Sequence, residues 1–300
     1  MARKGPTGPG GLIILDKPAG MTSHDVVSKV RRITGTRRVG HAGTLDPMAT
    51  GVLVLGVERS TKLLNHLLLT DKTYQATIRL GAATSTDDAE GTVLSTASTA
   101  GLDRSALDGA VATLTGHILQ RPSSVSAIKV DGERAYALVR AGQPVELAAR
   151  PVTVERFQMV SELRRAGDCC DVDVEVDCSS GTYIRALARD LGELLGVGGH
   201  LTALRRTRVG VFGLAQALTL EELAALADPI MLPLPQAIAS TMPVRRLTPG
   251  EASELTFGRT IEPAGIEGTY GGISETGEAV ALLRESDGRA RPVLGFTPAG

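Results

Sequence analysis

The sequence predicts an α+β fold with antiparallel strands in its main body and a small β-rich unit at its C-terminal end. Two segments, Tyr74-Gln-Ala-Thr-Ile-Arg-Leu80 and Asp171-Val-Asp-Val-Glu-Val-Asp177, alternate residues in the two-residue period of a half-buried strand. Such alternation is the mark of antiparallel sheets, which present one face to the core and one to water. Around these strands, apolar residues recur at helical spacing, as in Val26, Val27, Val30 and Ile33, or Leu187, Leu191 and Leu195.

In chain order, residues 1–10 are rich in Gly and Pro without periodicity and read as a flexible tail. Their Gly-Pro-Thr-Gly-Pro-Gly-Gly run is no dinucleotide fingerprint, because it precedes its apolar strand instead of following it. Leu12 to Leu15 reads as a buried strand ending at Asp16-Lys17-Pro18. Thr22 or Ser23 caps the next helix, Asp25 sits in its first turn, and Gly35 stops it. Lys29, Arg31 and Arg32 fall on or near its outer face. A loop from Thr36 to Thr50 leads to a strand, Gly51 to Val57, and a Leu-rich helix, Thr61 to Leu69. Residues 82–100 are small and polar and read as loop; Leu107, Val111 and Leu114 mark a helix over 106–114. Residues 119–152 mix Pro, Ser, Lys and Arg with weak periodicity and read as a long, mobile insertion. The acids at 171–177 lack the turn glycine and distal Glu of a calcium loop, and are expected to line the wet face of a strand. Gly181-Thr-Tyr-Ile-Arg185 leaves that strand and enters a helix, followed by a basic segment with His200, Arg205, Arg206 and Arg208. Thr219 with Glu222 has the form of a capping box. Pro233, Pro235 and Pro243 mark a linker, and residues 241–300 suit short strands such as Ala279–Leu283 and Val293–Phe296.

Composition narrows the function class. The chain has 300 residues, 42% hydrophobic but only 3% aromatic and without Trp, so its core is aliphatic. No apolar run approaches the ~20 residues of a membrane helix, and the Leu12–Leu15 run is too short for a secretory signal. Three clustered cysteines, Cys169, Cys170 and Cys178, form neither a disulfide framework nor a zinc site, which suits a cytoplasmic protein. The formal net charge is −1, but residues 1–70 carry ten Lys and Arg against four Asp and Glu, a balance of +6. A basic region on a nearly neutral chain fits a polyanion bound at one face.

The chemistry concentrates in His41-Ala-Gly-Thr-Leu-Asp46-Pro-Met-Ala-Thr-Gly51. A residue before proline is pushed to extended geometry, so Asp46 stands on stiff backbone, and Gly43 and Gly51 allow close approach of a ligand. A loop Asp of this kind serves either as a turn residue or as a site carboxylate. The segment Gly40-His-Ala-Gly-Thr-Leu-Asp-Pro-Met-Ala-Thr-Gly-Val-Leu-Val-Leu55 resembles the catalytic segment of the pseudouridine synthases, closest to the bacterial tRNA pseudouridine synthase B (TruB) family. The resemblance continues, in family order, through Leu15-Asp-Lys-Pro18, Lys72-Thr-Tyr74, Asp87-Asp-Ala-Glu-Gly91, Ser126-Ala-Ile-Lys129, Gly132 with Tyr136, Gly181-Thr-Tyr-Ile-Arg185 and Leu204-Arg-Arg206. It covers about residues 11–210.

The resemblance implies a mixed, mostly antiparallel pseudouridine synthase sheet flanked by helices over 11–235, and a PUA-like RNA-binding unit over 241–300. It implies isomerisation of uridine 55 in the T loop of tRNA to pseudouridine, by base flipping and without cofactor, metal or energy source. Asp46 matches the family's essential Asp. Its attack on C1′, its attack on the base and its removal of a ribose proton are equally open. One carboxylate near the anomeric centre suits an oxocarbenium-like sugar. Arg185 matches the Arg that pairs with that Asp, and Tyr74 the Tyr that stacks on the flipped base or takes the C5 proton. His41 matches the His that fills the vacated space in the T loop, and Leu204 a pocket wall. Tyr183 belongs to the same substrate-binding set, with Lys17, Lys129 and Arg150 as phosphate contacts. The 119–152 insertion would close over the T loop; its Arg121-Pro122 departs from the family's Pro-Pro pair. The expected partner is the tRNA T stem-loop, bound by a monomer. Two other readings compete: a non-catalytic RNA-binding or tRNA-folding protein on this scaffold, and a hydrolase needing a second acid such as Asp16 or Asp87.

Overall fold

The computed structural model describes residues 10–123, 129–130, 133–134 and 147–296. Residues 1–9 of the tail and most of the 119–152 insertion lie outside them. The chain divides into two compact units, one of residues 1–47, 51–68 and 209–300, the other of 48–50 and 69–208. No helix among the described residues is long and apolar enough to cross a membrane.

In the first unit the strand Gly11–Lys17 lies antiparallel to Thr50–Val57, from Gly11 opposite Val57 to Lys17 opposite Gly51. Leu12 to Leu15 are all buried because the strand is covered on both faces. Ile13 and Leu15 meet Val26, Val27 and Val30 of the helix Ser23–Thr34. Leu12 and Ile14 meet Leu63, Leu67, Leu234 and Ile238. At about 1.5–3 kcal/mol for each fully buried Leu or Ile side chain, this strand is the centre of the unit's stability. The helix begins as its sequence predicts: Thr22 and Asp25 form a reciprocal capping box, and Gly35 ends it at φ 67°. The Leu-rich segment differs from expectation. Glu58, at φ 53°, turns the chain tightly out of its strand, so a 3₁₀ stretch Glu58–Leu63 precedes the short helix Leu64–Leu68.

The prolines read as a linker open a helix instead. Leu232–Pro233 pairs with Gly11–Leu12, and Leu234–Thr241 is helical with Pro235 in its first turn, where no backbone N–H is required. This helix buries Leu234, Ala237 and Ile238. The small sheet follows, ordered Val244–Leu247, Thr269–Ser274, Ala279–Ser286, Arg289–Gly295, its first pair parallel and the others antiparallel. Its Ala279 and Leu282, with Phe296, join the cluster that holds Leu12 and Ile14. The C-terminal sheet thus shares a core with the N-terminal strand.

In the second unit the strands lie in the order Gly199–Val209, Lys72–Leu80, Cys169–Cys178, Arg150–Met159, Gly116–Gln120. The two alternating segments pair antiparallel, from Lys72 opposite Cys178 to Leu80 opposite Cys170. Val172, Val174 and Val176 are buried on one face. On the other face the acids carry paired charges instead of facing water alone. Arg79 forks onto Asp171 at 2.8 Å, Thr77 donates to Asp173 at 2.8 Å, and Arg164 meets Asp173 at 2.7 Å. Arg156 meets Asp177 at 2.7 Å and also bonds Glu175. The Arg164 guanidinium holds the Asp173 carboxyl below the usual carboxylate range. Residues 82–100, expected as loop, contain a hairpin of Ala82–Thr84 with Val93–Thr96. The helix Arg104–Thr113 is capped by Asp103, and the helix Ile184–Leu194 buries Ile184, Leu187 and Leu191.

Candidate active site

Asp46 stands in the first unit, partly buried, on a loop anchored on both sides of it. On the N-terminal side, Ser23 Oγ donates to the Leu45 carbonyl at 3.1 Å and accepts from the Leu45 N–H at 2.9 Å. Both backbone polar groups of the preceding residue are therefore fixed to the first residue of a capped helix. On the C-terminal side, the Pro47 carbonyl accepts from the Gly20 N–H at 2.8 Å and from Lys17 Nζ at 3.2 Å. Lys17 Nζ also donates to the carbonyls of Met21, at 2.6 Å, and Pro18, at 2.9 Å. The sequence offers Lys17 as a phosphate contact, yet its side chain is fully buried and its ammonium is directed at three backbone carbonyls. A charge on a buried stem needs such acceptors to offset its desolvation. Here they tie together the Pro18–Met21 turn and the Asp46 loop. Gly43 and Gly51, at φ 86° and φ 102°, flank the carboxylate in conformations that disfavour other residues. His41, partly buried on Val39–Ala42, meets His24 edge to face with ring centres 5.6 Å apart.

The second unit holds Tyr74, Arg185, Tyr183 and Leu204. Tyr74 is buried on the Lys72–Leu80 strand, opposite Val176. Lys72, two residues earlier on the same face, is also buried and donates to the Thr70 carbonyl at 2.6 Å. Burial, with the Arg206 guanidinium nearby, pushes its amine down to about 8. Leu204 and Arg206 are buried on the adjoining strand, from which Arg205 reaches the Thr50 hydroxyl at 3.2 Å. Arg185 lies in the first turn of the Ile184–Leu194 helix. Its Nη1 donates to the Thr86 carbonyl at 2.9 Å and meets Asp88 at 3.4 Å, both side chains 5% exposed. Tyr183 caps that helix, its N–H and carbonyl clamped by the Gln120 amide at 2.8 and 3.1 Å.

Arg150 begins its strand, exposed, opposite Gln120. Lys129 pairs through its backbone with Arg134, and its side chain lies outside the described residues. The sequence offers Ser23 only as an alternative helix cap, a place Thr22 takes; the Ser23 bonds to Leu45, the Gln120 clamp and the pairing of Asp88 went unseen. Asp88 carried a signal as part of Asp87-Asp-Ala-Glu-Gly91; Ser23 and Gln120 carried none, since their partners lie 22 and 63 positions away.

The geometry is accompanied by a consistent set of likenesses. Residues 31–184 match the model of the TruB family pseudouridylate synthase N-terminal domain. Residues 185–233 match that of the tRNA pseudouridylate synthase B C-terminal domain, and 242–297 that of the tRNA pseudouridine synthase II C-terminal region. The tRNA pseudouridine synthase B of Mycobacteroides abscessus is 60% identical over 289 residues, 96% of this chain and 97% of the relative. That of Mycolicibacterium paratuberculosis is 59% identical over 291 residues, covering 97% and 99%. Among solved structures, a chain of a Cbf5-Nop10-Gar1 complex superposes with TM-score 0.72 at 25% identity, over 98% of this chain and 86% of that one. The aligned lengths leave no large part of the fold unaccounted for, and the chain belongs to the TruB family of pseudouridine synthases, a family of isomerases.

Proposed function

We propose that this protein isomerises uridine 55 in the T loop of tRNA to pseudouridine, with Asp46 as the catalytic carboxylate. The observation that carries this reading is the double anchoring of the Asp46 loop, at Leu45 by Ser23 and at Pro47 by Lys17 and Gly20, in a chain whose relatives bear the name tRNA pseudouridine synthase B. Catalysis by a single carboxylate depends on holding it within a fraction of an ångström of its target.

The reaction conserves every atom. The C1′–N1 bond breaks, the released uracil turns, C5 bonds to C1′, the C5 proton leaves and N1 gains one. No co-reactant is needed to balance it. The Asp46 carboxylate stabilises or captures the electron-poor C1′ as the glycosidic bond opens. Arg185 supplies the cation that orients the working carboxylate. Tyr74 stacks on the flipped base, and the base must leave the T-loop stack to be reached. His41, Tyr183 and Leu204 contact the nucleotide and its surroundings, and Lys129 and Arg150 the phosphates. Lys17 acts beneath the loop as a positioning residue. The enzyme works in the cytoplasm as a monomer on the T stem-loop.

The test is tritium release from a T-arm stem-loop carrying C5-tritiated uridine, comparing wild type with Asp46→Asn. Release by wild type alone, with none from free uridine, supports the proposal. Tight stem-loop binding without release by wild type refutes it and favours a non-catalytic RNA-binding role.

A further inference from the structure

The Ile184–Leu194 helix carries a second arginine one turn after Arg185. Arg189 donates through Nη2 to the Arg121 carbonyl at 2.7 Å and pairs through Nη1 with Asp87 at 3.3 Å. Its Nε and Nη2 hold Asp190 at 2.9 and 2.7 Å. Arg185 and Arg189 thus grip two consecutive acids of one turn, Arg185 taking Asp88 and Arg189 taking Asp87.

That turn is unusual in two ways. Asp87 has φ 59°, a left-handed conformation that costs a non-glycine residue on the order of 1 kcal/mol or more and persists only where its surroundings enforce it. The turn is also held by its own backbone: the Leu201 N–H donates to the Asp87 carbonyl at 3.0 Å, and Thr84 Oγ1 to the Asp88 carbonyl at 2.8 Å. A guanidinium with two further fixed partners, on its own helix and on the strand exit at Arg121, is well suited to hold the Asp87 carboxylate in place. The same strand exit is bolted to the helix a second time, through Gln120 and Tyr183.

We infer that Arg189 is a positioning residue: by fixing Asp87 it sets the turn in which Asp88 receives Arg185, and so sets the Arg185 guanidinium for the reaction. The inference rests on the proposed synthase activity for its kinetic consequence only. Arg189 itself touches Asp87, Asp190, the Arg121 carbonyl and, at 3.9 Å, the exposed Glu193, and its role is exerted through Arg185.

The experiment pairs two readouts on the full-length protein. The first is the Arg185 Nε–H resonance in ¹⁵N-labelled wild type and Arg189→Met, assigned by its loss in Arg185→Lys. The second is single-turnover pseudouridine formation on a T-arm stem-loop by Arg189→Met, Asp87→Asn and the double variant, with the exposed Glu155→Gln as the control. The expected results are a moved or broadened Arg185 resonance and a 10- to 100-fold lower rate at saturating RNA. Half-saturation should stay within about twofold, and the double variant should be no slower than the slower single one. Arg189→Lys, which keeps a cation for Asp87, should recover part of the rate. An unmoved Arg185 resonance overturns the inference whatever the reaction, as does a loss confined to half-saturation or additive losses in the double variant. Absence of turnover by wild type overturns the proposed function instead, and leaves the resonance to decide the positioning role.

Discussion

Ser23→Ala isolates the contribution of one hydroxyl to the placement of Asp46. Ser23 is 1% exposed, and its Oγ satisfies both the N–H and the carbonyl of Leu45. The helix cap is Thr22, so the substitution leaves the capping box intact, and Ala gains a few tenths of a kcal/mol in helix propensity. The loss therefore comes from two buried backbone groups left without partners. At about 1–3 kcal/mol for each orphaned group, and with some relaxation of the loop, the cost is about 2–4 kcal/mol. Expressed as local opening, that is about 30- to 1,000-fold faster exchange of the Leu45 amide. Since Asp46 is the next residue, a shift on the order of 1 Å should lower turnover by about a hundredfold. Hydrogen exchange across residues 43–49 and single-turnover tritium release measure the two effects. Exchange at the wild-type rate, with turnover within threefold of wild type, would refute the anchoring argument.

Three further perturbations test the packing and charge of the fold. Lys72 ionises near 8 in the folded chain and near 10.5 unfolded, so the unfolded state binds more protons between those values and stability from this group rises with pH there. Wild type minus Lys72→Met, followed by urea unfolding, should gain on the order of 3 kcal/mol from pH 8 to 10.5; a flat difference would sink the assignment. The difference is needed because the Cys178 thiol, pushed up to about 11 by burial, contributes the opposite slope above pH 9. Gly192→Ala should destabilise by several kcal/mol despite its helical site, because a Cβ there would overlap the Gly198–Gly199 backbone. Gly109→Ala, where a Cβ meets nothing within 4 Å, should instead stabilise by about 0.5–1 kcal/mol. Thermal melts of the two variants moving in the same direction would contradict this reading.

Much of the fold is legible wherever a local rule decides the structure. The Thr22–Asp25 capping box, the Gly35 stop and the two alternating strands follow from neighbours a few residues apart. What is not legible depends on distant partners. The acids of 171–177 read as solvent-facing until the pairing register sets Arg79 and Thr77 across from them and folds Arg164 back onto Asp173. Pro233 and Pro235 signal a break equally well as linker residues or as the opening of a helix, and only the burial of Leu234 and Ile238 decides. Of the candidate functional residues, Asp46, Tyr74 and Arg185 are each marked by a motif. Lys17 is marked too, but its burial reverses the sense of its charge from ligand contact to internal brace. Ser23 leaves no trace in the sequence, because any N-terminal helical serine looks the same.

The shared core of the first unit also bears on how the chain is made. The second unit is almost continuous, from residue 69 to 208, and the one later strand among the described residues that pairs with it is Phe212–Gly213, on Gly199–Val209. Leu12 and Ile14 must wait for Leu234, Ile238, Leu282 and Phe296, which are made after the whole 69–208 stretch. Domains fold as their sequence becomes available during synthesis. The segment bearing Asp46 is translated ahead of the 69–208 stretch, yet its unit completes its core only when the strands of 244–295 arrive. A message cut short before residue 242 would yield a chain with an intact second unit and a first unit missing its closing strands.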